Sequence, residues 1–163
     1  SMAELHQLAA ELGSDVNFFL ASAPLAVCRG RGEQVEPLPL RRRLHCVVVQ
    51  PPGGLSTAAV FRRWTPGNAP RSAAPLVKEL GAQGSLLAQG ELYNALEAPA
   101  SELHPGVREV LERLRRCGLA VVGMSGSGSA CFGITESHRR AWCLARKWNL
   151  GGGPLARVVA TVL

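Results

Sequence analysis

The stretch LAVVGMSGSGSACFGI, from Leu119 to Ile134, places a run of serines and glycines between two short apolar segments. Apolar runs of this length, bounded by turn residues, are typical of strands, and we predict strands at Leu119–Met124 and Ala130–Ile134. Glycines leave backbone amides uncovered and serine hydroxyls add donors, a combination suited to holding an anion. A plain glycine turn between paired strands is the alternative that the spacing leaves open.

Three well-known catalytic loops do not fit residues 125–128, which we call the serine-glycine loop. A Walker loop needs a lysine after its last glycine, but Ser129 follows Gly128. A dinucleotide-binding loop opens into a helix, whereas this one opens into the strand-like run ACFGI. A nucleophile elbow needs Gly-x-Ser-x-Gly, and the order of Gly123, Ser125 and Ser127 breaks that pattern.

Hydrophobic periodicity predicts further helices and strands around this loop. Their alternation, with a hairpin in the second half, predicts an α+β sandwich of ferredoxin-like type, with residues 65–72 as a linker. The predicted elements are a helix at Leu5–Leu12, hairpin strands at Ala26–Cys28 and Gln34–Val35, a strand at Leu44–Val49, a short helix from Ser56 or Thr57 to Trp64, helices at Leu86–Leu96, Pro105–Cys117 and Glu136–Trp148, and a strand at Ala156–Val162.

Composition narrows the class of protein. Of the 163 residues, 47% are apolar and 18% charged, which allows a buried core and argues against wholesale disorder. No apolar run approaches the roughly 18 residues of a membrane span and no signal peptide opens the chain, so we expect no membrane segment and a cytoplasmic protein. Five cysteines without a CxxC pair predict reduced, mostly buried thiols and no metal site.

The net charge of +6 comes from arginine clusters at 41–43, 62–63, 113–116 and 139–140. Such clusters suit nucleic acid, anionic small molecules or solvated surfaces. Aromatic residues make up 5% of the chain and do not interleave with the clusters, as single-strand binders require. The sequence therefore favours a small anionic ligand over nucleic acid and leaves the oligomeric state open.

The first helix has a stripe of apolar residues, Leu5, Leu8, Ala9 and Leu12, with no partner before it. An amphipathic helix of this kind is a poor beginning for a domain. Ser1 before Met2 is also typical of a remnant of tag removal. We therefore expect the chain to begin inside a larger protein.

Four segments, in order along the chain, resemble the GHMP superfamily of small-molecule kinases. The segment GMSGSGSACFG resembles the superfamily's third motif, a Gly-rich loop that closes over phosphates. The segments LGSDVNFFL, PPGGLSTAAVF and ELYNALE resemble elements of one branch, the 4-diphosphocytidyl-2-C-methyl-D-erythritol kinases. Ser14, Asn17 and Ala95 depart from that branch, which has Ala, Pro and Asp at these places.

This resemblance implies an α+β chain in two parts. Residues 1–50 would be the distal part of a truncated N-terminal kinase domain, and residues 51–163 a ferredoxin-like C-terminal domain. The implied reaction transfers a phosphoryl group from ATP, with Mg²⁺, to the 2-hydroxyl of a cytidine diphosphate substrate in non-mevalonate isoprenoid synthesis. The superfamily's ATP loop would lie before Ser1, so we expect ATP and Mg²⁺ to bind mainly outside this chain and the chain alone to be inactive.

The resemblance also implies roles for individual residues. Asp15 would take or orient the proton of the substrate hydroxyl, with a turn cap as the alternative. Phe61 would pack on cytosine beside Thr57, with an ordinary core position as the alternative. The phosphates would be surrounded by the serine-glycine loop, namely Ser125, Gly126, Ser127 and Gly128.

Three residues are assigned structural roles: Asn94 is interpreted as a hydrogen-bonding residue at a helix end, and His45 and His104 as structural histidines. Two other functions stay open at this point. One is a different GHMP-type kinase, and the other is a stand-alone ferredoxin-like binding module.

Overall fold

The computed structural model describes residues 1–39, 43–66, 71–81, 92–119, 121–150 and 155–161. Within these ranges the chain forms seven helices and six strands. In chain order they are α1 (Met2–Leu12), α2 (Val16–Leu20), β1 (Ala26–Arg29), β2 (Gln34–Pro37), β3 (Leu44–Gln50), α3 (Thr57–Arg63), α4 (Ala74–Gly81), α5 (Glu97–Leu103), α6 (Pro105–Arg116), β4 (Val121–Met124), β5 (Cys131–Thr135), α7 (His138–Leu150) and β6 (Leu155–Thr161).

Four strands form an antiparallel sheet in the order β4-β5-β3-β6. The central strand β3 pairs on one side with β5, where Val47 faces Gly133, and on the other with β6, where Val47 faces Val158. Helices connect β3 to β4 and β5 to β6, which gives the β-α-β-β-α-β order of the ferredoxin-like fold. The prediction of a ferredoxin-like α+β architecture is confirmed.

The core lies between one face of this sheet and the helices that pack on it. Val47 and Val49 are fully buried because alternate residues of β3 point to the same face. The predicted stripe on α6 is buried as expected, and burying each such side chain contributes about 1.5–3 kcal/mol. The buried helical residues are Val107, Val110, Leu111 and Leu114 on α6, and Ala141, Ala145 and Trp148 on α7.

The first 39 residues form α1, α2 and a two-stranded hairpin of β1 and β2. The predicted helix and hairpin are both present, and Ser1 caps α1 in a capping box with Glu4. Leu8 and Leu12 on α1 are 57% and 82% exposed, and Phe19 on α2 is also exposed. The apolar stripe on α1 thus largely faces solvent, with Ala9 its buried member.

The helix predicted at Leu86–Leu96 is wrong for residues 92–96, which form an irregular segment and a turn, while residues 86–91 lie outside the described residues. The side chain of Asn94 explains the turn, because its Oδ1 accepts a hydrogen bond from the Leu96 amide. The helix α5 starts directly afterwards, at Glu97, with Pro99 in its first turn, where proline is tolerated. The sequence analysis also missed α2, α4 and α5.

The cysteines differ in burial more than predicted. Cys131 is buried, but Cys28 and Cys143 are exposed, so the expectation of mostly buried thiols is wrong for these two. Burial raises the pKa of the Cys131 thiol to about 12, which keeps it protonated and unreactive.

Among the described helices, none is long and apolar enough to cross a membrane.

His45 is a buried histidine on β3 with 6% of its surface exposed. Its ring meets the His138 ring edge-on, with centroids 5.2 Å apart, and its Nδ1 has no hydrogen-bond partner among the residues that the structure describes. Burial lowers the pKa of His45, and the nearby His138 and Arg43 lower it further. The surroundings of His45 therefore favour its neutral form.

We expect the free energy of unfolding to fall as pH drops from 7.5 to 5.5. The unfolded chain takes up a proton at His45 near pH 6.5, whereas the folded chain resists it, so the stabilisation is present above that pH and lost below it. Urea denaturation at the two pH values measures this. In His45→Leu the free energy of unfolding should differ less between the two pH values. Val47→Ala, a change at a buried residue of the same strand, should lower the free energy of unfolding at both pH values and leave the difference between them unchanged. An unchanged difference in His45→Leu would contradict the assignment.

Candidate functional site

The serine-glycine loop is a tight turn between β4 and β5. The Ser125 amide donates to the Ala130 carbonyl and the Gly128 amide donates to the Ser125 carbonyl, both at 2.9 Å. Gly126 and Gly128 have φ of +54° and +86°, in the region that favours glycine. Ser125 and Gly126 are exposed, so the outer side of the turn is open to a ligand.

Side chains from three other parts of the chain hold this loop. Thr57 Oγ1 and Ser127 Oγ are hydrogen-bonded at 2.8 Å, which joins the first residue of α3 to the loop. Gln50, the last residue of β3, donates its Nε2 to Ser129 Oγ at 2.9 Å. Asn94 Nδ2 donates to the carbonyls of Met124 and Gly126, each at 2.9 Å. The loop is therefore fixed by segments far from it in sequence.

The helix α3 presents two of the predicted site residues on one face. Ser56 caps the helix by accepting a hydrogen bond from the Ala59 amide, and Val60 anchors the helix in the core. Thr57 and Phe61 are four residues apart and so share a helix face. Phe61 is 55% exposed, so it is not a core residue, and its ring is accessible.

Asp15 lies at the junction of α1 and α2, where its side chain makes no capping hydrogen bond. The hairpin turn packs closely on this junction, because a Cβ on Gly32 would lie 2.9 Å from the Ser14 carbonyl oxygen and 3.4 Å from Asp15 Oδ1. Within the described ranges, no hydrogen bond joins Asp15 to the serine-glycine loop. The structure thus joins Thr57 to the loop and places Asp15 beside the hairpin.

Asn17 connects the helix that follows Asp15 to its surroundings. It is 3% exposed; its Oδ1 lies 2.9 Å from His6 Nδ1, and its Nδ2 donates to the Glu33 carbonyl at 3.2 Å. Asn17 therefore ties α1, α2 and the hairpin together. The sequence analysis noted Asn17 as a departure but gave it no role, since a buried amide and an exposed one look alike in sequence.

The hairpin turn beside Asp15 contains a second acid, Glu33. Hydrogen bonds from its own backbone amide and from the Arg31 amide lower the pKa of Glu33, and the Arg31 amide lies 2.7 Å from its Oε2. Glu33 is therefore a charged residue whose carboxylate holds the turn.

In the part of the chain that the structure describes, no group of three or more His, Cys, Asp or Glu residues is placed to hold a metal ion.

Comparison with known proteins places this geometry in a family. Residues 73–150 match the family model described as GHMP kinases, C terminal. The chain is 39% identical over 165 residues to a 4-diphosphocytidyl-2-C-methyl-D-erythritol kinase of Rhodopirellula baltica, covering 95% of this chain and 49% of that protein. A protein of the same name from Paracoccus denitrificans is 42% identical over 130 residues, 80% of this chain and 47% of its own length. The chain belongs to the GHMP kinase family.

Two solved structures share the fold of this chain. A crystal structure of 4-(cytidine 5′-diphospho)-2C-methyl-D-erythritol kinase matches with a TM-score of 0.78 and 34% identity, over 96% of this chain and 56% of that one. A homoserine kinase from Cytophaga hutchinsonii, at 20% identity and a TM-score of 0.65, shares the fold over 85% of this chain and 48% of its own. The chain spans about half the length of the curated relatives it matches. The resemblance seen in the sequence is confirmed, while the roles of single residues stay predictions.

We expect Gly128→Ala to lower the free energy of unfolding of this GHMP kinase chain by about 2–4 kcal/mol, through backbone strain and crowding. The added Cβ would lie 2.9 Å from Met124 Sδ and 3.3 Å from Leu55 Cδ2. Gly126→Ala is the matched control, since its Cβ would meet no described atom within 4 Å, and it should cost about 1 kcal/mol. Chemical denaturation measures both, and equal losses would contradict the close packing at Gly128.

We expect Asn17→Ala to destabilise the chain by about 1–3 kcal/mol, because it leaves buried polar groups without partners. The loss should be concentrated in α1, α2 and the hairpin, and amide hydrogen exchange of these elements should speed up. Gln7→Ala, an exposed change on α1, should leave stability and exchange unchanged. Slow exchange retained in the hairpin of Asn17→Ala would show that Asn17 does not hold these elements together.

Proposed function

We propose that this chain is part of an ATP-dependent kinase that phosphorylates the 2-hydroxyl of 4-diphosphocytidyl-2-C-methyl-D-erythritol in non-mevalonate isoprenoid synthesis. The observation that carries the proposal is the hydrogen bond between Thr57 and Ser127. It joins the helix face proposed to bind the base to the loop proposed to bind phosphates. The names of the relatives support the substrate, and the accessible ring of Phe61 supports a base-binding role for this face.

The serine-glycine loop is proposed to contact phosphate groups. Its glycines let backbone amides approach an anion closely, and the Ser125 and Ser127 hydroxyls add donors. ATP, when bound, supplies the phosphoryl group that is transferred; Ser125, Gly126, Ser127 and Gly128 would form one wall of its phosphate site. Because the described residues offer no cluster of metal-binding side chains, we assign none of them to Mg²⁺.

Asp15 is proposed to orient or accept the proton of the attacking hydroxyl. In phosphoryl transfer a carboxylate near the nucleophile performs this task, and it must come within hydrogen-bond distance of the hydroxyl. The Asp15 side chain is exposed and does not cap α2, so its oxygens are available to a substrate. Asn17, two residues further on, ties α2 to the hairpin, and the hairpin turn at Gly32 lies close to Ser14.

Phe61 and Thr57 are proposed to bind the cytosine base. An exposed aromatic ring offers a face for stacking, which contributes about 1–3 kcal/mol per base. Thr57 lies on the same helix face and points toward the serine-glycine loop, as its bond to Ser127 requires. A ligand with a base and a diphosphate would thus extend from Phe61 to the loop.

The proposed division of the chain follows the sheet. A boundary after residue 50 would separate β3 from the strands on both sides of it, because β3 is central in the order β4-β5-β3-β6. We therefore propose that the first part ends before Leu44, and that α1, α2 and the hairpin belong with the kinase's N-terminal domain.

We expect Phe61→Ala to weaken binding of cytidine 5′-diphosphate to this chain by about 5–150-fold, which corresponds to the loss of one stacking contact. Isothermal titration calorimetry measures the affinity directly and does not depend on turnover. Trp64→Ala, which removes an exposed ring one turn further along, is the matched control and should leave the affinity within twofold. Equal affinities in wild type and Phe61→Ala, or no binding by the wild type, would overturn the proposed base site.

A further inference from the structure

We propose that Asn94 is a positioning residue that fixes the conformation in which the serine-glycine loop binds phosphate. The inference rests on the proposed function, because it assigns a residue to the phosphate role of that loop. It goes beyond the helix-end role that the sequence suggests for Asn94. Its basis is a set of three hydrogen bonds made by one half-buried amide side chain.

Both the nitrogen and the oxygen of the Asn94 side-chain amide make hydrogen bonds. Nδ2 donates to the carbonyl oxygens of Met124 and Gly126, each at 2.9 Å, and Oδ1 accepts from the Leu96 amide, also at 2.9 Å. Two donor hydrogens and one acceptor are thereby engaged, which leaves the side chain little freedom to turn. The bond to Leu96 holds the side chain, and the other two hold the loop.

The bonds to carbonyls fix the direction of the neighbouring amides. In a planar trans peptide the C=O and the following N–H point in opposite directions. Because the Gly126 carbonyl points at Asn94, the Ser127 N–H points away from it. The Met124 carbonyl is fixed in the same way, and the Ser125 N–H correspondingly points at the Ala130 carbonyl. Asn94 thus selects which way two peptide groups face at the start of the loop.

This selection matters because a Gly-Ser segment has many backbone conformations of similar energy. Without Asn94, an anion that binds the loop amides would have to order the loop as it binds, and the free energy spent on this ordering would weaken its affinity. The other side chains holding the loop, Thr57 and Gln50, bond to the Ser127 and Ser129 hydroxyls rather than to carbonyls. They restrain side chains, whereas Asn94 restrains peptide planes.

The test uses inorganic pyrophosphate as the probe and the amide NMR signals of Gly126 and Ser127 as the readout. Asn94→Ala removes both donors and should weaken pyrophosphate binding by about tenfold or more. Asn94→Asp places a carboxylate oxygen against two carbonyl oxygens and should weaken binding similarly at pH 8. At pH 4.5, closer to the ordinary Asp pKa of about 3.9, part of the side chain is protonated and can donate to one carbonyl. The affinity relative to wild type at the same pH should then partly recover, whereas that of Asn94→Ala should not.

Tyr93→Ala is the matched control, because it removes an exposed neighbouring side chain and should leave pyrophosphate affinity within twofold. Circular dichroism melts show whether each variant is folded at the titration temperature. If Asn94→Ala unfolds, the recovery of pyrophosphate affinity by Asn94→Asp at the lower pH still tests the role of Asn94.

Wild-type loop signals that do not respond to pyrophosphate would overturn the phosphate role of the loop and this inference with it. A wild type that responds, with unchanged affinity in both Asn94 variants, would overturn the role of Asn94 alone.

Discussion

The pairing of β3 with strands on both sides determines where the candidate site can form. Its register with β5 places the end of β3 next to the serine-glycine loop, so that Gln50 reaches Ser129. The chain leaves β3 at the same end and turns into α3, which brings Thr57 to Ser127. A shift of one residue in this register would turn Val47 and Val49 out of the core, which makes slippage costly. The buried valines therefore position a polar site some distance from them.

The loop itself combines flexible residues with side-chain restraints from outside. Glycines at φ of +54° and +86° allow a tight turn that other residues would strain to adopt, but they add little stiffness of their own. Hydrogen bonds from Gln50, Thr57 and Asn94 supply the stiffness, each contributing on the order of 0.5–1.5 kcal/mol. A loop built this way keeps its backbone open to an anion while its shape is set by the scaffold.

The sequence predicts the parts of the fold that depend on local pattern. The β-branched run of β3 and the apolar stripe of α6 are readable because burial repeats with the period of the element. The helix predicted over residues 92–96 was wrong because the Asn94 side chain accepts a hydrogen bond from the Leu96 amide and forms a turn there. The contacts that shape the site join residues tens of positions apart, such as Asn94 and Gly126. No spacing rule encodes such contacts, so Asn94, Gln50 and Asn17 gain their roles from the folded chain.

The two acidic residues of this region, Glu33 and Asp15, have different surroundings and are therefore suited to different roles. Glu33 gives its carboxylate to backbone amides of the turn, which lower its pKa and occupy its oxygens. Asp15 receives support through its backbone instead, from the close approach of Gly32 to Ser14 and from the hydrogen bonds of Asn17. A carboxylate that is to handle a substrate proton needs a fixed position and free oxygens together. Under the proposed function, the hairpin fixes the position of Asp15 and leaves its carboxylate oxygens free. They stay free because Glu33, rather than Asp15, accepts hydrogen bonds from the amides of the turn.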